Sequence, residues 1–252
     1  KGQLPISASG RPIACPGVFP DVIIANNIAA VTHNAAYRTA KAGDIPAAMR
    51  LMDDTLSTKT LNRVIAALKG RHAIVQPVHA LEAEGVNRLP SALAEALEGR
   101  LRPRAAARVG TEIVQVNNAG HTGASGWHRI ASPTVFDGVV EEGMAYLLVD
   151  DFVGQGRHTI DNLRGHIIAN GGEVLLAVTL TGAPYSAKLA PSSPTVAALR
   201  ARHGGPLENW YREIFGYGFE RLTESEARNL ARAENIDVIR NRITQARFEA
   251  NR

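Results

Sequence analysis

MAYLLVDDFVGQGRHTIDNLRGHIIANGGEVLLAVTLTG, residues 144–182, carries the clearest pattern of secondary structure in the chain. An apolar run ends in two acids, a glycine turn leads into a stretch of helical character, and a second apolar run follows. Asn170, Gly171 and Gly172 close the helical stretch with residues that commonly end helices. Strand, helix and strand in this order are typical of a parallel sheet with a helical crossover.

The preceding residues repeat this alternation. Short apolar runs predict strands at residues 72–78, 111–116, 144–150 and 173–180, and helical patterns predict helices at residues 86–97 and 159–169. The sequence therefore predicts an α/β fold built on a doubly wound parallel sheet, over residues 71–182.

The two ends of the chain differ from this core. Residues 1–70 predict an irregular proline-rich arm, a short strand at 21–25 and a mostly helical stretch at 32–68, in which Pro46 after Asp44 marks a helix start. Residues 183–252 predict a loop-rich stretch with four prolines, followed by helices, one of which begins near Glu224 because Thr223 and Glu226 make a capping box. We expect both ends to be mostly helical additions to the core.

Composition limits the class of protein. Hydrophobic residues make up 45% and charged residues 21% of the chain, which argues against a mostly disordered protein. Cys15 is the single cysteine, so no intrachain disulfide can form, and no apolar run is long enough to cross a bilayer. The first residues lack the regions of a signal peptide, although the chain opens on Lys1. We expect a soluble cytoplasmic protein without a membrane partner.

The chemistry is expected where the third predicted strand ends. Ligands of open parallel sheets collect beyond the carboxyl ends of the strands. Asp150 and Asp151 stand at that end, and a glycine turn leads to Thr159, where a helix begins. Successive amides of a glycine turn can hold a phosphate, and paired carboxylates can bind a ribose diol directly or through magnesium. A net charge of +4 and a pI near 9.5 fit an anionic ligand.

The segment LLVDDFVGQGRHT resembles the phosphoribosyl diphosphate (PRPP) signature of type I phosphoribosyltransferases. The resemblance implies that Asp150 and Asp151 hold the ribose hydroxyls and Mg²⁺ as catalytic and metal-binding residues. The segment departs from the family pattern at Arg157 and His158, where glycine and threonine are usual. The loop that it implies for the 5-phosphate consists of Val153, Gly154, Gln155, Gly156, Arg157, His158 and Thr159.

The resemblance extends upstream with less specific motifs. It implies a pyrophosphate loop at residues 79–85, including His79, Ala80 and Leu81, and a mobile lid at residues 117–133. Within that lid, His121, His128 and Arg129 are the candidates for pyrophosphate contact, although an isolated histidine is most often a surface or core residue. Trp127 either stacks on an acceptor base or anchors the loop, and we favour the anchor.

The resemblance implies an enzyme that transfers the 5-phosphoribosyl group from PRPP, as its magnesium complex, to a nitrogenous acceptor and releases pyrophosphate. The loop at Arg157 and His158 leaves open a non-catalytic regulator of the same fold that senses PRPP or a nucleotide. A phosphohydrolase, or another fold that uses the two acids for metal alone, is a third reading. No acceptor signature is recognisable in the two ends, and a homodimer is the commonest assembly.

The densest basic run is GRLRPRAAARVG, which contains Arg100, Arg102, Arg104 and Arg108. A run of this kind is usually a solvated face, and it lacks the interleaved aromatic residues that stack on nucleic-acid bases. The sequence therefore argues against nucleic acid as the partner.

Overall fold

The protein is described by a computed structural model that covers residues 19–79, 81–82, 85–102, 104–117, 126–131, 133–154 and 159–250. A five-stranded sheet has the order β1-β9-β8-β2-β5 with every neighbouring pair parallel. Two short antiparallel ribbons, β3-β4 and β6-β7, lie outside it. The strands are β1 Ile23–Asn26, β2 Ala73–Pro77, β3 Leu81–Glu82, β4 Gly85–Val86, β5 Ala106–Val109, β6 Val114–Gln115, β7 Phe136–Asp137, β8 Ala145–Val153 and β9 Glu173–Gly182.

Helices occupy most of the remaining described residues. A 3₁₀ turn at Pro184–Ala187 and another at Phe219–Arg221 precede α8 and α9 respectively. The α-helices are α1 Ile28–Thr32, α2 Tyr37–Lys41, α3 Ile45–Thr55, α4 Thr58–Leu68, α5 Leu89–Leu101, α6 Gly126–Ala131, α7 Thr159–Ala169, α8 Ser193–Phe215, α9 Glu224–Arg232 and α10 Ile236–Ala250.

Both faces of the sheet are buried, which explains why the central strands are almost continuously apolar. On one face, Val75, Leu147 and Val149 pack in a cluster with side chains of α3, α4 and α5. On the other face, Ile74, Leu148 and Ala177 pack with side chains of α7 and with Phe19. Successive residues of a strand point to opposite faces, so odd and even positions of β8 from Ala145 to Val149 serve different clusters.

The direction of the chain reverses between β2 and β8. After β2, α5 leads outward to β5 on one side, and after β8, α7 leads to β9 on the other side. Because parallel crossovers are right-handed, opposite directions place the two helices on opposite faces of the sheet. The carboxyl ends of β2 and β8 therefore border a crevice of the kind in which open α/β sheets bind ligands.

The C-terminal helices have a hydrophobic core of their own. We call α6 together with α8, α9 and α10 the C-terminal helical module, because their apolar side chains form one cluster. Tyr211 lies at its centre, with its ring 4.4 Å from that of Phe215 and 5.7 Å from that of Tyr217. The largest buried side chains of the module are thus aromatic packing residues.

The predicted parallel sheet with flanking helices is confirmed. The predicted helix at 159–169 matches α7, the helix start at Asp44 is the N-cap of α3, and the capping box of Thr223 and Glu226 begins α9. Gly171 adopts a φ of 85° at the end of α7, as a glycine stop requires.

The prediction that residues 111–116 form a strand of the main sheet was wrong, although a short strand, β6, lies within them. The third strand along the chain in the main sheet is β5, residues Ala106–Val109, within the basic run, and β6 pairs instead with β7 in a separate ribbon. An edge strand has only one strand neighbour, so it needs fewer apolar residues than a central strand. Arginines in such a strand obscure the apolar pattern from which a strand is predicted. Here β5 pairs with β2 alone.

The predicted loop-rich stretch at 184–206 was also wrong, because much of it belongs to α8. Pro194 lies in the first turn of that helix, where backbone N–H groups have no partner within the helix. A proline there therefore costs no hydrogen bond. Pro206 follows a kink at Gly204, whose φ of 65° interrupts the helix.

No helix among the described residues has the length and apolarity needed to span a membrane.

The division of the chain at residues 70 and 182 stays a prediction. The structure places β1 at the edge of the main sheet beside β9, and α3 and α4 in the cluster that covers β2 and β8. The N-terminal segment therefore packs as part of the α/β body.

Candidate functional site

A cleft of about 170 Å³ opens at the carboxyl edge of the sheet, beside the crevice between β2 and β8. The ends of β8 and β9 form its floor, the start of α5 forms one wall, and α1 and α2 cover it from the N-terminal side. Its lining mixes apolar and polar side chains: Val31, Tyr37, Lys41, Leu89, Asp151, Phe152, Leu180 and Thr181.

Asp151 is the buried charge of this cleft. Its carboxylate is 5% exposed, accepts a 2.9 Å hydrogen bond from Asn87 Nδ2, and lies 3.6 Å from the Lys41 ammonium group. A buried carboxylate requires such partners because losing its hydration is costly. Asn87 follows β4, and its Oδ1 accepts from the Leu89 amide at the start of α5, so it joins the two sides of the crevice.

Asp150 and Asp151 are part of β8 and do not follow it, because the strand continues to Val153. Strand alternation sends Asp151 toward the face of α5 with Leu147 and Val149, and Asp150 toward the face of α7 with Leu148. Asp150 Oδ1 accepts from the Asp151 amide at 2.8 Å. Of the two carboxylates, Asp151 lines the cleft.

The predicted phosphate loop is described only at its two ends. Val153 and Gly154 are buried, and a Cβ atom on Gly154 would lie 2.4 Å from the Phe152 ring, so glycine is needed there for packing. Thr159 begins α7. Gln155, Gly156, Arg157 and His158 lie outside the described residues.

The predicted pyrophosphate loop lies beside the end of β2. His79 is half-buried with Nε2 3.4 Å from the Gly110 carbonyl oxygen, and burial lowers the pKa of its ring below the ordinary value. Leu81 belongs to the backbone of the β3-β4 ribbon, and Ala80 lies outside the described residues. His79 is not among the side chains that line the cleft.

The predicted lid at 117–133 includes α6 of the C-terminal helical module. Asn117 holds the two ends of the segment together, since its Nδ2 donates to the Pro133 carbonyl and its Oδ1 accepts from the Val135 amide. Trp127 packs in the module beneath Arg242, which favours the anchor that the sequence suggested. His128 and Arg129 lie in α6, whereas His121 is outside the described residues.

Magnesium stays a prediction. In the described part of the chain, no group of three or more His, Cys, Asp or Glu side chains is placed to hold a metal ion. The Lys41 ammonium group, 3.6 Å from Asp151, would compete with a cation for this carboxylate. These residues suit a polar organic ligand better than a directly bound cation, which prefers several oxygen ligands.

The basic run behaves as the solvated face that the sequence suggested. Arg100 bonds to Asp53, Arg102 to Glu98, and Arg108 to Glu141. These arginines are occupied by acids of the same chain.

Sequence reasoning missed Lys41 and Asn87. Neither belongs to a motif, and Asn87 is 64 residues from the carboxylate that it contacts. The one available signal was positional: Asn87 stands at the start of the helix predicted at 86–97, after a predicted strand, where capping residues and ligand-binding groups are both common.

Comparison with known proteins gives two relatives. The chain is 36% identical over 234 residues to Protein TraN of Escherichia coli, covering 93% of this chain and 51% of that protein. It is 35% identical over 150 residues to an uncharacterized protein of Haemophilus influenzae (strain ATCC 51907 / DSM 11121 / KW20 / Rd), covering 60% of this chain and 32% of that protein. The chain thus spans about half the length of TraN and a third of the second relative. No family model matches it.

Among solved structures, UMP synthase of Leishmania donovani aligns with 78% of this chain and 35% of its own length, at 13% identity and a TM-score of 0.25. A TM-score of this size does not show a shared fold.

The predicted phosphoribosyltransferase, with its PRPP-sensing alternative, was wrong. The similarity that runs along 93% of the chain is to Protein TraN, which is not a phosphoribosyltransferase. The prediction that the protein acts in magnesium-dependent nucleotide metabolism was wrong for the same reason. An apolar strand followed by two acids and a glycine turn is common to many α/β sheets, and this pattern misled the functional prediction.

Proposed function

We propose that the chain is a small-molecule-binding α/β domain whose ligand occupies the cleft at the carboxyl ends of β8 and β9. We propose the same role for the stretch of Protein TraN that it resembles. The assignment takes the sheet to be doubly wound, and the positions of α5 and α7 on opposite faces support that arrangement.

The proposal rests on one observation: an anionic and a cationic side chain stand side by side, with Tyr37 and Thr181, in a partly apolar cleft at the reversal of the sheet. Asp151 is 5% exposed and Lys41 is 36% exposed, so the carboxylate lies at the floor and the ammonium group at the rim. Apolar walls with a few convergent polar groups are typical of small-molecule sites.

The two charges define the chemistry of the ligand. Asp151 accepts hydrogen bonds from hydroxyl groups, and Lys41 attracts an anion. Val31, Leu89 and Leu180 supply apolar contact for a carbon skeleton. The ligand is therefore a small hydroxylated anion, such as a hydroxy acid or a polyol phosphate.

Binding is proposed here without turnover. Catalysis, magnesium and a homodimer remain predictions that the geometry of the cleft does not require.

Isothermal titration calorimetry with gluconate, glycerol 3-phosphate and ribose 5-phosphate tests the proposal. We expect at least one of the three to bind. Lys41→Met should weaken that binding about 10-fold or more, because a charge-assisted hydrogen bond to the anion contributes roughly 1.5–3 kcal/mol. Asp151→Asn should weaken it similarly, because a carboxylate accepts hydrogen bonds at both oxygens.

Lys59→Met is the matched control, since Lys59 is an exposed lysine of α4 away from the cleft lining. It should leave affinity unchanged. Failure of all three compounds to bind, or equal losses in Lys41→Met and Lys59→Met, would contradict the proposed site.

A further inference from the structure

The outward face of α10 is exposed and mostly polar. Ile239, Ile243 and Ala246 point into the core of the C-terminal helical module. A helix turns about 100° per residue, so Asn241, Thr244 and Gln245 lie on the opposite side, and all three are exposed. Phe248 lies on the same side and is 60% exposed. The face therefore presents amide and hydroxyl groups, and one aromatic ring, to solvent.

Arginines line both flanks of this face, each over an aromatic ring of a neighbouring helix. Arg240 lies 5.7 Å from the centre of the Trp210 ring, and Arg247 lies 5.8 Å from that of Phe215, both on α8. On the other flank, Arg242 lies 5.6 Å from the Trp127 ring of α6. Stacking on a ring orders a guanidinium group without using its hydrogen-bond donors.

The charge of this surface is positive along the middle of α10. Residues 238–248 contain three arginines and no acid, whereas Asp237 and Glu249 lie at the two ends. The acids Glu208, Glu224 and Glu226 of the same module are buried, so they do not offset the arginines at the surface.

The connection between α9 and α10 adds to the pattern. The two helices are joined by a turn at residues 233–235, and the exposed Arg202 donates from Nε to the Ala233 carbonyl at 3.0 Å. Arg232, also exposed, ends α9. Two further cations thus stand beside the start of α10, where the exposed acids Glu234 and Asp237 also lie, so the excess positive charge is confined to the middle of the helix.

We propose that α9, its turn and α10 form a duplex DNA-binding unit, with α10 in the major groove. The major groove admits one α-helix, and asparagine, glutamine and threonine are side chains that read base edges there. Arginines on both flanks would meet the two phosphate backbones that border the groove. RNA duplexes fit less well, because their major groove is too narrow for a helix. This surface is separate from the cleft and from the basic run at residues 100–108.

Fluorescence anisotropy with a labelled 20-base-pair DNA duplex tests the proposal. We expect binding at 50 mM salt that weakens steeply with salt, with a log–log slope of about −3 if three arginines contact phosphates. The variant Asn241→Glu with Thr244→Glu adds two acids to the exposed face without removing a buried contact. It should weaken binding at least about 10-fold and leave the melting temperature unchanged.

The variant Asn62→Glu with Ala66→Glu makes the same change of charge on the exposed side of α4 and should bind like the wild type. Arg242→Gln, whose fold is checked by circular dichroism, should bind more weakly and lower the salt slope by about 1. Absence of binding at 50 mM salt, equal losses in the two acidic variants, or equally tight binding of an RNA duplex would overturn the proposal.

Discussion

A single carboxylate, Asp151, holds the cleft together electrostatically. Lys41 reaches it from α2, and Asn87 reaches it from the entrance to α5. Its neighbour Asp150 is equally buried but lies on the other face of β8, because side chains alternate along a strand. Two adjacent acids that look like a pair in the sequence therefore have separate environments.

Gly182 holds the ends of β8 and β9 close together beneath Asp151. A Cβ atom at this position would lie 2.5 Å from Val153 Cγ1 and 2.6 Å from the Val153 carbonyl oxygen. Gly182→Ala should lower the free energy of unfolding by about 1–3 kcal/mol, measured by urea denaturation. Gly99→Ala, inside α5 with nothing within 4 Å, is the control and should be neutral or stabilising by up to about 1 kcal/mol. Equal effects of the two substitutions would contradict the close approach.

At this scale the sequence located Asp151 but not its partners. An apolar run followed by acids is visible in one stretch, so the edge of the sheet could be predicted. Lys41 and Asn87 come from distant parts of the chain and are brought to Asp151 by the packing of α2 and α5, which no local pattern records.

At the scale of elements, α8 consists of two helical segments that are separated by non-helical backbone at Gly204 and bridged by ion pairs. Arg200 before the kink donates two hydrogen bonds to Glu208 after it, and Glu208 also accepts from Arg212 and from the Phe219 amide. The Arg200 guanidinium, with these other donors, lowers the pKa of Glu208 to about 2 although burial opposes the shift. Gly204, Gly205 and Pro206 predict the end of a helix. Only the long-range contacts of Glu208 indicate that a second helical segment follows them.

Glu208→Gln should therefore destabilise the protein at neutral pH by about 1–2 kcal/mol, allowing for the half-exposed arginines. The folded pKa lies below the unfolded value, so this stability is complete above about pH 4.5 and is lost as the pH falls toward 2. Urea denaturation at pH 7 and pH 2.5 should show the difference between wild type and variant shrinking at the lower pH. Glu213→Gln, at an exposed position of the same helix, is the control. A difference that is independent of pH would contradict this role.

At the scale of the whole molecule, α6 connects the α/β body to the C-terminal helical module. Asn117 and the β6-β7 ribbon hold the base of α6. The backbone N–H of Gln115 donates to the backbone carbonyl of His79, just after β2. Ile130 and Ala131 are buried in the module with Ile243. The segment that the sequence suggested as a lid therefore supplies part of the core of the module, a role that depends on contacts about 110 residues away along the chain.

Ile130→Ala should remove about 2–4 kcal/mol of stability and loosen the module, because it leaves a cavity among α6, α9 and α10. Hydrogen exchange followed by mass spectrometry should show that the variant exchanges faster than the wild type in α10, and that this acceleration is smaller in β8. Ile168→Ala, at a position of α7 that is 42% exposed, should change neither. Uniform acceleration across both elements would show that the module is not a separate packing unit.

Binding of a small hydroxylated anion in the cleft beside Asp151 can be tested by titrating the ¹⁵N-labelled protein with the tightest-binding of the three test compounds, followed by heteronuclear NMR. We expect saturable shifts concentrated at Lys41, Asn87, Asp151 and Thr181, and their loss in Asp151→Asn. Saturable shifts that leave these residues unmoved, or that persist in Asp151→Asn, would contradict it.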